Sequence, residues 1–241
     1  ALNGEVYNKW LEYTGKKIYE GYGQTESTII CGNFMEYCDI RPGSMGKPNP
    51  LYDVEVLTPN NKPVPAGEVG ELCIHVEGGL PFGLLMGYHK DIALTSEAFE
   101  GGVYHTGDNV YMDADGYVWF VGRKDDIIKT AGYRVSPFEV ESVLQQHPAV
   151  MKCAVIGVED AKRGMSVKAT IVLSPGYDKK YPKEMEIELS TFAKEKTAIY
   201  KCPRIFEFGK ELPKTISGKI RRVEIREKDK VKDIERIKQD F

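Results

Sequence analysis

Four short clusters hold the residue types that could do chemistry. In "YEGYGQTEST" (19–28), Gly21 and Gly23 flank Tyr22 and let backbone approach a flat or phosphorylated ligand, because glycine has no Cβ. Gln24 supplies an amide, Thr25 a hydroxyl, and Glu26 a hard carboxylate oxygen suited to Mg²⁺. The loop is not the dinucleotide fingerprint, since Glu26 stands where the third glycine would fall. In "YHTGD" (104–108), Asp108 is expected just after a tight Thr-Gly turn, where an acceptor-only carboxylate could take two hydrogen bonds from a ribose diol. In "GRKDDIIKTAGYRVS" (122–136), paired charges precede a Gly-Tyr-Arg, between regions of different composition, where a domain boundary would fall. In "ELPKTISGKIRR" (211–222), Ser217 and Gly218 are expected to form a mobile turn that delivers Lys219, a compact cation suited to phosphate. Each cluster also has a plain reading: a surface turn, an ordinary Asp-after-Gly turn, a solvated linker, a solubilising basic loop. None decides the function alone.

The elements that must position these groups fall into two regions. Residues 1–124 are rich in glycine and proline. "EVYNKWLEYTG" reads as the last turns of a helix ending at Gly15, and "KKIYEGYG" as a strand running into the first cluster. "YDVEVL" (52–57), "GELCIHV" (70–76) and "GYVWFVG" (116–122) alternate or concentrate strand formers, with turns such as "DADG" between. A compact antiparallel β subdomain, following the end of something larger, is the expectation. From 126 the rhythm changes. Ser136, Pro137 and Glu139 stand as N-cap, first helical residue and capping-box glutamate of a helix expected over 137–146, stopped by His147-Pro148. "VMKCAVIGVED", "SVKATIVLSPG" and "PRIFEFGKEL" read as strands. "PKEMEIELSTFAKEKT" reads as a helix with Leu189, Phe192 and Ala193 on one face, and 227–241 as a charged surface helix. The predicted class is α+β: the end of a large domain with a small antiparallel β subdomain over 1–124, then a small α+β domain over 125–241.

Composition excludes several classes. With 41% hydrophobic and 29% charged residues and a net charge of -3, the 241-residue chain reads as globular, with no hint of a nucleic-acid or membrane partner. No apolar run approaches a membrane span. Cys31, Cys38, Cys73, Cys153 and Cys202 are odd in number and never spaced CxxC, which fits reduced thiols in the cytoplasm better than disulfides or a zinc site. The four well-separated histidines also argue against a metal centre. The chain opens at Ala1, which fits a processed protein or a piece of a longer one.

Order and spacing decide what single clusters do not. "GYGQTES", "YHTGD", "GRKDDIIKTAGYRV" and "PKTISGKIRR", with "RPGSMGKPNP" and "GELCIHV" between them, resemble the ordered motifs of the adenylate-forming superfamily over essentially the whole chain. "EGYGQTES" and "AIYKCPR" look most like the acetyl- and medium-chain acyl-CoA synthetases within it.

That resemblance implies an AMP-forming acid–thiol ligase of fatty acid metabolism. A carboxylate and ATP give acyl-AMP and pyrophosphate, and coenzyme A then gives acyl-CoA and AMP. It also implies a portion upstream of this sequence, with a phosphate-gripping Ser/Thr/Gly-rich loop, so the chain is expected to be a C-terminal fragment inactive alone. By the same resemblance Lys219 bridges substrate carboxylate and phosphate, Glu26 holds Mg²⁺ and Thr25 touches the α-phosphate. Gly21, Tyr22, Gly23 and Gln24 line the nucleotide, and Asp108 binds the ribose with help from Arg123. Asp125 matches the hinge. Ala131, Gly132, Tyr133 and Arg134 move to the site for the second step, and Arg163 and Lys201 are matched to coenzyme A phosphates. Two alternatives stay open: an adenylation unit loading a carrier protein, and a non-catalytic nucleotide- or CoA-binding fragment.

Overall fold

The structure is a computed structural model that describes residues 2–177, 182–216 and 218–239. The chain divides into two compact units, Ala1–Asp125 and Asp126–Phe241.

In the first unit, α1 (Gly4–Thr14) is capped by the Asn3 side chain, which accepts from Glu5 N, and ends on Gly15 in the left-handed region. The strand expected from Lys16 is shorter than predicted. Thr14 Oγ1 accepts from Lys16 N, and pairing begins only at β1 (Gly21–Gly23). β1 pairs with β2 (Ile29–Gly32), and β2 with β3 (Lys47–Pro48), all antiparallel. A Cβ at Gly46 (φ 80°) would lie 2.1 Å from the Gly32 carbonyl, so the crossing of these segments requires glycine. β4 (Val54–Leu57), β5 (Val69–His75), α2 (Ile92–Ala98), β6 (Val103–Met112) and β7 (Val118–Arg123) follow, and the four strands form an antiparallel sheet in chain order. Period-two alternation puts Leu72, Ile74, Tyr104 and Val110 into one core with Ile30, Met45, Tyr52 and Val56, while Leu57, Cys73 and Val103 cluster apart from it.

The sequence "YHTGD" is not a turn between elements, as its glycine suggested. It lies inside β6, where Gly107 (φ 70°) allows an irregularity: Glu71 opposes Asn109, yet Cys73 opposes His105.

In the second unit, β8 (Ile128–Thr130) and β9 (Tyr133–Val135) form a hairpin, α3 (Pro137–Leu144) follows, and β10 (Val150–Asp160) and β11 (Gly164–Leu173) make the long antiparallel pair. Ser136 Oγ accepts from Glu139 N at 3.1 Å and Pro137 opens α3, as its sequence implies, but the helix ends at Leu144, two residues early. α4 (Pro182–Lys196) buries Met185, Leu189 and Ala193, a stripe at i, i+4 and i+8 that leaves Phe192 at its margin, edge-on to His147. β12 (Ile205–Phe208) joins β11 in parallel, and α5 (Arg222–Gln239) starts five residues before the charged tail expected to form it. α3 and α4 cover one face of the sheet, and Ile225 of α5 packs with Ala154, Ile156 and Val172 on the other. Among the described residues, no helix is long and apolar enough to cross a membrane.

Candidate active site

In the first unit the glycine loop and β6 converge on Asp108. Tyr22 Oη donates to Asp108 Oδ2 at 2.5 Å, and Gln24 Nε2 donates to the same oxygen at 2.8 Å. Gln24 is itself held: its Nε2 also reaches the Thr106 carbonyl at 2.8 Å, and its Oε1 accepts from Tyr104 Oη at 2.8 Å. Asp108 opposes Arg123 across β6 and β7, and Arg123 Nη1 lies 3.1 Å from the Thr106 carbonyl and 3.5 Å from Asp108 Oδ1. Oδ2 is therefore fixed by two neutral donors, while Oδ1 has, among the described residues, one long contact to a half-exposed guanidinium. Burial pushes the Asp108 carboxyl above its ordinary range, against the pull of Tyr22, Arg123 and Gln24. Burial also raises the phenols of Tyr22 and Tyr104 well out of the physiological range, so both remain proton donors.

Glu26 extends from the same loop. Tyr88 Oη donates to its Oε1 at 3.1 Å, and its other oxygen has no protein partner among the described residues. One open carboxylate oxygen fits Mg²⁺, which keeps most of its water and needs few protein ligands. Thr25 is exposed beside it, as are Gly21 and Gly23. A Cβ on Gly23 would lie 2.3 Å from the Thr28 carbonyl, so this glycine is required by the fold of the loop itself. Tyr88, Tyr104 and Thr106 were not singled out from sequence. Their roles depend on residues some 60 to 80 positions away, and no local spacing signals that.

In the second unit, Ala131 (φ 48°) and Gly132 (φ 85°) form the two-residue turn of the β8–β9 hairpin, with positive φ at both positions as a type I′ turn needs. The Arg163 carbonyl accepts from Ala131 N at 2.9 Å, so the loop carrying Arg163 lies against this turn. Tyr133 stacks on Tyr200 with centroids 4.1 Å apart, and Arg134 is exposed. Lys201 is paired with Glu139 at 2.5 Å rather than standing open for an anion. Lys219 is exposed on a separate turn, where Thr215 N donates to its carbonyl at 2.8 Å and Gly218 N to the Thr215 carbonyl at 2.9 Å. Ser217, the other residue expected to shape that turn, lies outside the described residues. Asp125 is the last residue of the first unit, its carboxylate 3.4 Å from Arg123 Nε.

Two family models match in order: AMP-binding enzyme over residues 1–89, and AMP-binding enzyme C-terminal domain over 139–219. The chain belongs to the AMP-binding, adenylate-forming enzymes. It is 48% identical over 228 residues to the mitochondrial acyl-coenzyme A synthetase ACSM3 of Mus musculus, covering 95% of this chain and 39% of that protein. It is 48% identical over 232 residues to 4-hydroxybutyrate–CoA ligase 1 of Metallosphaera sedula, covering 96% of this chain and 40% of that one. Among solved structures, the anthranilate CoA ligase AuaEII in complex with anthranoyl-AMP matches with TM-score 0.85 and 40% identity, over 94% of this chain and 42% of that one. The adenylate-forming fold is thus that of this chain, which spans about two fifths of the length of the relatives it matches.

Proposed function

We propose that this chain is the nucleotide-binding and C-terminal part of an AMP-forming acid–CoA ligase. The observation that carries the reading is Asp108, a buried carboxylate with one oxygen fixed by Tyr22 and Gln24 and the other open enough to accept from a ribose diol. Two neutral donors orient the carboxylate without neutralising it, so its acceptor capacity is preserved for the ligand. Gly21, Tyr22, Gly23 and Gln24 line the nucleotide, Arg123 assists Asp108, and Thr25 contacts the α-phosphate.

Glu26 would hold Mg²⁺, which when bound supplies positive charge to the phosphate oxygens. Lys219, exposed on its turn, neutralises charge where the substrate carboxylate meets the α-phosphate, the main obstacle when one anion attacks another. Asp125 is the hinge between the 1–124 and 125–241 domains, and its rotation exchanges Lys219 for Ala131, Gly132, Tyr133 and Arg134 in the thiol step. Arg163, fixed beside that turn, meets the coenzyme A phosphates. A single site can serve both half-reactions if such a motion gates them.

The substrate is a small carboxylic acid, with fatty acids of short and medium length the first to test. The names of the matched relatives are those of CoA synthetases and ligases, so a carrier protein is not the favoured acceptor. Reduced thiols fit the cytoplasm and the inside of a mitochondrion alike, and the mouse relative is mitochondrial, so the expected cytoplasmic location has no separate support.

Acid-dependent ATP–pyrophosphate exchange tests the reading, run on the longest natural chain containing this sequence with acetate, butyrate, octanoate and benzoate. Lys219→Ala there is expected to slow acyl-adenylate formation by roughly 10²–10³-fold, the cost of one transition-state charge contact. Thioester formation from supplied acyl-AMP is expected to fall far less. Equal loss in both half-reactions would remove the role given to Lys219, and no exchange with any acid by the folded parent would remove the ligase.

A further inference from the structure

On the opposite side of β6 from Asp108, three electron-rich groups converge for which the proposed chemistry has no use. Cys73 Sγ lies 3.7 Å from His105 Nδ1, and His105 Nδ1 lies 3.2 Å from Glu71 Oε2. The Glu71, Cys73 and His105 ligand atoms all fall within 4.8 Å of one another. Glu71 and Cys73 alternate onto one face of β5, and the irregularity at Gly107 brings His105 opposite Cys73.

We infer that Glu71, Cys73 and His105 form a Zn²⁺ site with a fourth position left to water. The tautomer argues for it first. His105 Nε2 lies 3.1 Å from the Glu100 carbonyl, an acceptor only, so that nitrogen carries the proton. Nδ1 then faces a Glu71 carboxylate oxygen at 3.2 Å, a contact that either a proton or a metal cation can bridge. A histidine whose far nitrogen is fixed by a backbone carbonyl is the usual orientation of a metal-bound imidazole.

Distances agree. With bond lengths of about 2.3 Å to sulfur and 2.0–2.2 Å to nitrogen and oxygen, a tetrahedral ion sets neighbouring ligand atoms roughly 3.3–3.6 Å apart. A thiolate with an imidazole selects zinc over the harder divalent ions. Zinc binding releases the Cys73 thiol proton to solvent and forms the S–Zn bond in its place. Lys124 Nζ, 3.4 Å from Glu71 Oε2, holds that oxygen when the metal is absent, and its mostly exposed side chain can swing away. Gly107 N donates to the other Glu71 oxygen at 2.9 Å, which ties the site to the backbone beside Asp108. The scattered cysteines and histidines argued against a metal centre in sequence. The β5–β6 register brings together residues 32 positions apart, a closeness that spacing along the sequence does not show.

The test is equilibrium dialysis of the longest natural chain containing this sequence, untagged and reduced, against Zn²⁺, with Co²⁺ as the spectroscopic probe. One tightly held zinc per chain is expected, with a thiolate-to-cobalt charge-transfer band and the intense visible bands of four-coordinate cobalt. His105→Gln and Cys73→Ala are each expected to weaken binding about 100-fold or more. His105 is partly exposed, so its variant keeps the fold and preserves the test if the buried Cys73 variant unfolds. Zinc binding unchanged in His105→Gln, cobalt bound without the sulfur band, or no zinc bound by the folded parent would each overturn the assignment.

Discussion

Asp108 in the first unit and Glu141 in the second are both buried carboxylates, and the two are held in opposite ways. Asp108 receives neutral donors on one oxygen and leaves the other almost open. Glu141, on α3, is closed on every side: Arg222 of α5 donates to Oε1 at 2.8 Å and to Oε2 at 2.6 Å, and Val155 N of β10 donates to Oε1 at 2.8 Å. Burial raises both carboxyls. Only Glu141 has a mostly buried cation with fork geometry to offset that cost. Helix, sheet and C-terminal helix are thereby fastened at one point in the second unit, whereas the first unit keeps an acceptor in reserve. An open buried acceptor points to a ligand, and a saturated one to architecture.

The largest effect should come from breaking the saturated case. Arg222→Ala leaves Glu141 charged, buried and unpaired, and is expected to destabilise the second unit by about 3–5 kcal/mol, read as lost hydrogen-exchange protection in β10 and β11. A loss under about 1 kcal/mol would make the clamp ornamental.

Next is the open case. Asp108→Asn keeps the size of the group and removes its charge, so AMP affinity in the longer protein should fall roughly ten- to hundredfold, the worth of hydrogen bonds to a charged acceptor. Stability should hold, or rise by about 1 kcal/mol near neutral pH, since a buried charge is gone. The sign follows from the raised carboxyl. Asp108 favours folding while protonated, and that contribution is lost as pH rises through its folded-state value. The variant's advantage should therefore appear on the alkaline side and vanish in acid. Thermal unfolding against pH reads this, and an advantage that grew in acid would refute it.

Smaller still is Ser136→Ala, which removes the cap of the helix bearing Glu141 and should cost about 1 kcal/mol in the same exchange measurement. Smallest is Arg123→Ala. If Asp108 is held mainly by Tyr22 and Gln24, losing this half-exposed partner should change stability by less than about 1 kcal/mol. A larger loss would bring the two carboxylates closer in kind.

Local signals made much of this legible before the structure. The Ser136–Pro137–Glu139 start of α3 and the Gly15 end of α1 are written in residue types that act within one turn. The alternating strands are visible because burial of one sheet face imposes period two. What was not legible depends on pairing across the chain. "YHTGD" reads as a turn because its glycine is a turn former, yet tertiary pairing with β5 and β7 draws it into β6. Tyr22, Gln24 and Asp108 were each singled out, but not the bonds among them, and Tyr104 and Tyr88 carried no signal because phenols are equally at home in any core. The Cys73–His105 opposition hinges on one irregularity in register, which no spacing rule could place.

The edge of β11 that faces away from β10 is divided. β12 takes four positions, Lys168 to Ile171, while the hairpin of β8 and β9 meets it at the single pair Gly164 and Thr130, with one further bond from Ala131 N to Arg163 O. Amide exchange should therefore separate the two neighbours in time. Protons along β11 opposite β12 should wait for global unfolding, while those of Thr130 and Ala131 should leave through a local opening that keeps β10, β11 and β12 intact. A turn fastened so lightly beside a strand fastened so firmly can detach and return many times within the lifetime of the folded unit.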